Sequence, residues 1–299
     1  MSDSEAIPSP SPLPPEPSER VRPPLSAQAI LLFGLLAFVG IVFAIDHLRG
    51  TATAVGSLAA VPLALIPAVL WLIYFYRRDI HEPEPTHYVV GVFLLGALVA
   101  APVASYITDA LFKVPAWGVL PRWGVTEAVA AFLIVAPVQE ATKYIVVRYT
   151  VYLSAEFDEP MDGIVYMTAA GLGFATAMNI QQLTRAPQIA LTTAAINAVT
   201  VTLAHASLSG VVGFALGRAK FIGSEGHQTR TLALGLAVAM LLSGGFSMIE
   251  HVATRHGLDY RPAWGLASAA LFAIVVFALL SALVDRHLAN SPHRPREAR

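Results

Sequence analysis

The sequence contains no cysteine. A disulfide-stapled secreted scaffold, a thiolate-ligated zinc or iron–sulfur site and a cysteine nucleophile are all excluded by that. Charge is scarce as well: 13% of the 299 residues are Asp, Glu, Lys or Arg, about half of the roughly 25% usual in soluble domains. Nineteen basic and 20 acidic residues cannot clothe the surface of a water-soluble fold of this length. The net charge of −1 offers no global attraction for nucleic acid. What is abundant is apolar sequence, at 56% of residues with a mean hydropathy of +0.62. This is the composition of a polytopic membrane protein.

Apolar runs long enough to cross a bilayer, about 20 residues each, fall near 26–45, 55–76, 88–111, 125–148, 161–183, 188–217, 229–250 and 263–285. They predict an all-α bundle of about eight transmembrane helices over 26–287. Residues 1–25 hold eight prolines among Ser, Glu and Arg, which predicts a disordered tail rather than a signal peptide. Residues 288–299 form a short basic tail. An N-in/C-in arrangement in the cell membrane puts twelve basic residues at inside ends, among them Arg77, Arg78, Arg148, Arg218 and Lys220, against six outside. That is the sense of the positive-inside rule.

An ionisable residue inside a span costs about 2.5–3.5 kcal/mol on insertion scales, so each needs a partner or a task. Asp109, Glu127, Asp162 and Glu250 lie near helix ends and read as caps or solvated ends. Asp158-Glu159-Pro160 and Glu84-Pro85-Thr86 likewise read as acidic caps of the helices that follow. Glu140 and His205 lie well inside their runs. Glu140 shares a helix face with Lys143 at i, i+3, and Gln139 shares one at i, i+4. Asn197, His205 and Ser209 form one stripe, with Thr202 beside it. Ala169, Gly173 and Ala177, and again Gly213 and Gly217, form small-residue faces that allow helices to approach closely.

Several intramembrane chemistries lack their signatures. His251 and His256 do not form H-E-x-x-H, Ser207-Leu208-Ser209-Gly210 is a weak echo of a serine elbow, and Gly171-Leu172-Gly173-Phe174 lacks the aspartate of an aspartyl site. What remains is Glu140 with His205, a carboxylate and an imidazole able to hold and deprotonate a water, with or without a metal.

Four elements carry a resemblance: Arg78-Asp-Ile-His-Glu-Pro-Glu-Pro85, Pro137-Val-Gln-Glu-Ala-Thr-Lys143, Phe157-Asp-Glu-Pro-Met-Asp-Gly163, and His205 followed by Ser-Leu-Ser-Gly210. In order and spacing the chain resembles the PrsW family of intramembrane proteases, relatives of the CAAX-prenyl protease and bacteriocin-processing superfamily. The resemblance implies a membrane peptidase acting in the bilayer on a single-span protein such as an anti-sigma factor. It implies catalytic positions at Glu140, Asn179, His205 and His251, and Zn2+ on Glu140 and His205 as the candidate cofactor. The family is described as metalloprotease-like, its superfamily also as glutamate-type without metal.

The chain departs from the pattern the resemblance implies at two positions. Gln139 and Met178 stand where E-E-x-x-K and G-F-x-x-x-E-N place carboxylates, and Arg255 follows His251 where an Asn is expected. An amide is no general base, and a thioether is a poor partner for a water-activating site. A catalytically degenerate scaffold that binds transmembrane partners is therefore the alternative, with a proton-coupled carrier more remote. Counted from the predicted cytosolic ends, Glu140 lies about 12 Å deep and His205 about 18–20 Å. A shared site requires tilt, a late helix start or a break.

Overall fold

The computed structural model describes residues 27–48, 57–78, 84–114, 125–185, 189–256 and 259–289. In hydrocarbon every backbone amide must be satisfied within its own segment, so apolar runs fold as helices. Their order is α1 (Ala27–Leu48), α2 (Ser57–Arg78), α3 (Thr86–Leu111), α4 (125–149), α5 (Pro160–Arg185), α6 (Leu191–Lys220), α7 (Glu225–Thr254) and α8 (Pro262–Ala289). Between α7 and α8, Arg255–His256 pairs antiparallel with Asp259–Tyr260. Among the described residues α1, α3, α5, α6 and α7 are long and apolar enough to cross a membrane. The predicted tails, 1–25 and 288–299, lie outside the described residues apart from Leu288 and Ala289 at the end of α8.

α5 is the axis of the bundle. Its most apolar window is 89% buried, against 22% for α1, whose Leu32, Phe33, Leu36 and Phe43 are exposed to the bilayer side. α5 reaches this depth by shedding side chains. A Cβ on Gly96 of α3 would strike the Ala170 carbonyl, and one on Gly173 would strike the Phe93 carbonyl. The small-residue faces read from the sequence are thus backbone-to-backbone contacts.

Two helices are not plain α-helix. Gly96–Ala100 in α3 and Ala131–Val135 in α4 are wider π turns, in which Ala101 N–H donates to Gly96 O and Ala136 N–H to Ala131 O. Each is followed, one residue on, by a proline, Pro102 or Pro137, whereas a third wide turn at Tyr106–Leu111 has no proline in that place. A helical proline has no N–H, and its ring pushes away the carbonyl four residues back. Widening the turn accommodates both effects at the expense of one extra residue.

The acidic caps are borne out in part. The Asp162 carboxylate accepts the Glu159 N–H at 2.7 Å, closing the first turn of α5. Asp109 instead pairs with Arg185 at 3.2 Å. Glu84 does not cap α3: Pro85 occupies that position without a side-chain cap, and the nearly buried Glu84 carboxylate accepts the hydroxyl of Tyr166 on α5. A tertiary partner outcompetes the local one because Tyr166 is fully buried and its hydroxyl needs an acceptor.

Lys220, the last residue of α6, reaches under the 150–159 loop. It donates to the carbonyls of Tyr152 at 2.7 Å and of Phe157, and lies 4.6 Å from the Phe157 ring centre. Burial pushes the Tyr152 phenol up from its usual range, while Arg148, 4.3 Å over its ring, pulls it back. Lys220→Met is expected to cost about 1–3 kcal/mol by stranding these carbonyls, read as a lower melting temperature and faster proteolysis at 150–159. The same contact shows that α6 runs past the end of α4. His205 is fifteen residues from Lys220 and Glu140 nine from Tyr149, a difference of about 9 Å along the axes. The overhang absorbs it.

Candidate active site

The site begins with α4. Downstream of the π turn and Pro137, the helix presents Gln139, Glu140 and Lys143 to the interior, each essentially inaccessible. Spacing of three brings carboxylate and ammonium together. Lys143 Nζ donates to Glu140 Oε1 at 2.9 Å. Oε2 is also 2.9 Å from Nζ, but it lies outside the hydrogen-bonding direction and has no hydrogen-bond partner among the described residues. A buried charge pair is held in place only if both partners stay, because either alone is strongly penalised.

α6 brings His205, 2% exposed, to the same point. Its Nδ1 lies 3.4 Å from Lys143 Nζ. Phe174 of α5 floors both groups, with its ring centre 5.0 Å from the imidazole and 5.5 Å from Nζ. Gly171 lets α5 come this near: a Cβ there would lie 2.9 Å from the His205 carbonyl oxygen and 2.7 Å from Ser209 Cβ. Ser209 Oγ and Gln139 Oε1 are buried without hydrogen-bond partners among the described residues. Thr168 and Ser243 share that state, whereas most helical hydroxyls bond back one turn, as Ser207 does to Leu203. Ser209 does not.

Of the residues singled out in the sequence, Glu140, Lys143 and His205 therefore meet. Asn179 stands one turn away, where its amide donates to the Ala198 carbonyl at 3.2 Å and to Thr202 Oγ1 at 3.4 Å. It ties α5 to α6 just before His205. His251 is half-buried in the last turn of α7, and with Glu140 and His205 it forms no group able to hold a metal ion. Met178 packs in an apolar cluster with Ala100, Ala101, Ala104, Val146 and Phe174. Two contributors escape a reading by periodicity. Phe174 looks like any core aromatic, and the rotation of α4 depends on the π turn, whose one sequence signal is Pro137.

Residues 84–283 match the family described as PrsW family intramembrane metalloprotease. The chain belongs to this family. Among its relatives, the Protease PrsW of Geobacillus kaustophilus (strain HTA426) is 39% identical over 155 residues, 52% of this chain and 64% of that protein. The Protease PrsW of Bacillus subtilis (strain 168) is 31% identical over 191 residues, 64% of this chain and 82% of the relative. That of Clostridioides difficile (strain 630) is 22% identical over 231 residues, 77% and 91% of the two chains. No solved structure matches. Family and helices together make this a multi-pass membrane protein.

The PrsW description implies a metal, and the donor set can be tested against it. Catalytic zinc usually takes three protein ligands. Here one carboxylate and one imidazole converge, beside a neutral amide at Gln139, with a thioether at Met178 packed among apolar side chains. No cluster of three His, Asp or Glu occurs among the described residues. Lys143 stands between the two donors that are present. The residues do not fit a zinc ion.

Proposed function

We propose that this chain is an intramembrane peptidase of the PrsW type, which cleaves a peptide bond of a membrane-bound protein using a water held by Glu140 and His205. The observation that carries this reading is the meeting of a buried carboxylate and a buried imidazole, from α4 and α6, across one lysine. Lys143 holds Oε1, which leaves Oε2 to accept a proton from water. An ammonium can only donate, so His205 Nδ1 accepts from it and the neutral ring carries its proton on Nε2. His205 then serves as a hydrogen-bond donor toward the carbonyl oxygen under attack.

Glu140 takes the water proton as the oxygen bonds to the carbonyl carbon. The tetrahedral intermediate collapses with cleavage of the C–N bond, and the same proton passes to the leaving amine. A positioned base contributes about 10²–10⁴ in rate, and one oxyanion donor about 10²–10³. The fitting substrate is a single-span protein with its scissile bond at the depth of Glu140, anti-sigma-factor-like by family analogy. The chain sits N-in/C-in in the cell membrane.

The test is cleavage of co-reconstituted single-span proteins. His205→Ala should slow cleavage about 10²-fold or more without loss of the folded bundle. A second reading, a scaffold that captures transmembrane partners without cutting them, draws on Gln139 and on Met178 in its apolar packing. Stable capture with no cleavage by the wild type across a broad panel would favour it.

A further inference from the structure

The charge at the site is already balanced. Glu140 contributes one negative charge and Lys143 one positive, and both are fully inaccessible. Of the described groups in contact with Lys143, the Phe174 ring at 5.5 Å and the imidazole accepting at Nδ1 add none. Lys143 Nζ lies 2.9 Å from the carboxylate and 3.4 Å from the imidazole nitrogen. Those are the two strongest metal donors in the centre, and one cation already lies between them.

We propose that Lys143 is the resident cation of this centre: its ammonium occupies the position between Glu140 and His205 that a divalent metal would need, so that the site is metal-independent. A divalent ion entering between these donors would add two uncompensated positive charges to a buried region, next to an ammonium a few ångströms away. To make room, Lys143 would have to withdraw into surroundings that hold Phe174 at 5.5 Å on one side, and burial of an unpaired ammonium is strongly unfavourable. The ammonium also fixes the imidazole. While it donates to Nδ1, that nitrogen is committed as an acceptor and is not available to a metal. Lys143 thereby stands in for a metal in two respects, neutralising the carboxylate and orienting the histidine.

This inference rests on the peptidase reading only for the chemistry assigned to the centre, and its test uses no substrate. The probe is Co2+ or Zn2+ alone, added to the purified full chain in nanodiscs. Metal content should stay far below one ion per chain in the wild type. In 15N-histidine spectra the His205 signal, assigned by its loss in His205→Gln, should show an unprotonated Nδ1 and should not broaden with Co2+. Lys143→Met should bind Co2+ at least about tenfold more tightly than the wild type. A wild type that retains near-stoichiometric zinc and loses it in His205→Gln overturns the proposal. Broadening of the His205 signal by stoichiometric Co2+ in the wild type also overturns it, and this measurement stands even if Lys143→Met does not fold. Equal Co2+ affinity in wild type and Lys143→Met overturns the role of Lys143 as occupant. A metal-free wild type that cleaves nothing defeats the peptidase reading and leaves the cation assignment intact.

Discussion

Glu140→Gln is expected to slow peptide cleavage by about 10²–10⁴. The change is nearly isosteric, and the amide oxygen can still accept the Lys143 ammonium now bonded to Oε1. What disappears is the group that takes a proton from water. A second consequence is separable from the first: Lys143, wholly buried, loses its counter-charge. Breaking a buried ion pair from one side costs about 3–5 kcal/mol, so the melting temperature in detergent should fall. The double variant Glu140→Gln/Lys143→Met removes both charges and should recover most of that stability while remaining inactive. Recovery of cleavage along with stability would mean that Glu140 is a structural partner of Lys143 and not the base. Rates in liposomes and melting curves on the same preparations decide between the two.

Gly173→Leu should abolish assembly of the bundle. A Cβ at this position would strike the Phe93 carbonyl oxygen, and it would come within 2.8 Å of that carbon and 3.0 Å of Ala97 N. Those atoms are backbone of α3, adjoining its π turn, and cannot swing aside as a side chain tip could. Losses above about 4–5 kcal/mol are rare for single substitutions and mark this kind of mechanism. Gly40→Leu is the control, since nothing lies within 4 Å of a Cβ there. Equal yields of monodisperse protein from both variants would show that α3 and α5 are not packed as described.

Much of this architecture is legible in the residue order because lipid leaves the chain few options. An apolar run in hydrocarbon must be a helix, and a carboxylate or imidazole in its middle must have company. Glu140, Lys143 and His205 stand out on those grounds alone, and the structure brings them together. Depth is less legible. Counting from helix ends separates Glu140 from His205, because residue order does not reveal that Lys220 lies beneath the 150–159 loop. Glu84 shows a second limit. Its position before α3 suits a cap, yet its carboxylate accepts the buried hydroxyl of Tyr166, 82 residues away. Long-range partners of this kind leave no local periodicity. Gln139 and Met178 illustrate a third limit, since a departure from a family pattern tells which chemistry is lost but not what the remaining groups do instead. The 3.4 Å approach of Lys143 to His205 is visible only once the helices are packed.

The wide turn at Ala131–Val135 divides α4 into two lengths set at different rotational phases. Adding or removing residues ahead of it changes only how far the helix protrudes. Regularising it to 3.6 residues per turn with its residue count unchanged would spin everything from Gln139 onward by about 100°. Glu140 would then sweep out of the interior toward the acyl chains with its helix otherwise intact. The wide turn between Phe132 and Pro137 thus sets the angle at which Glu140 faces the interior.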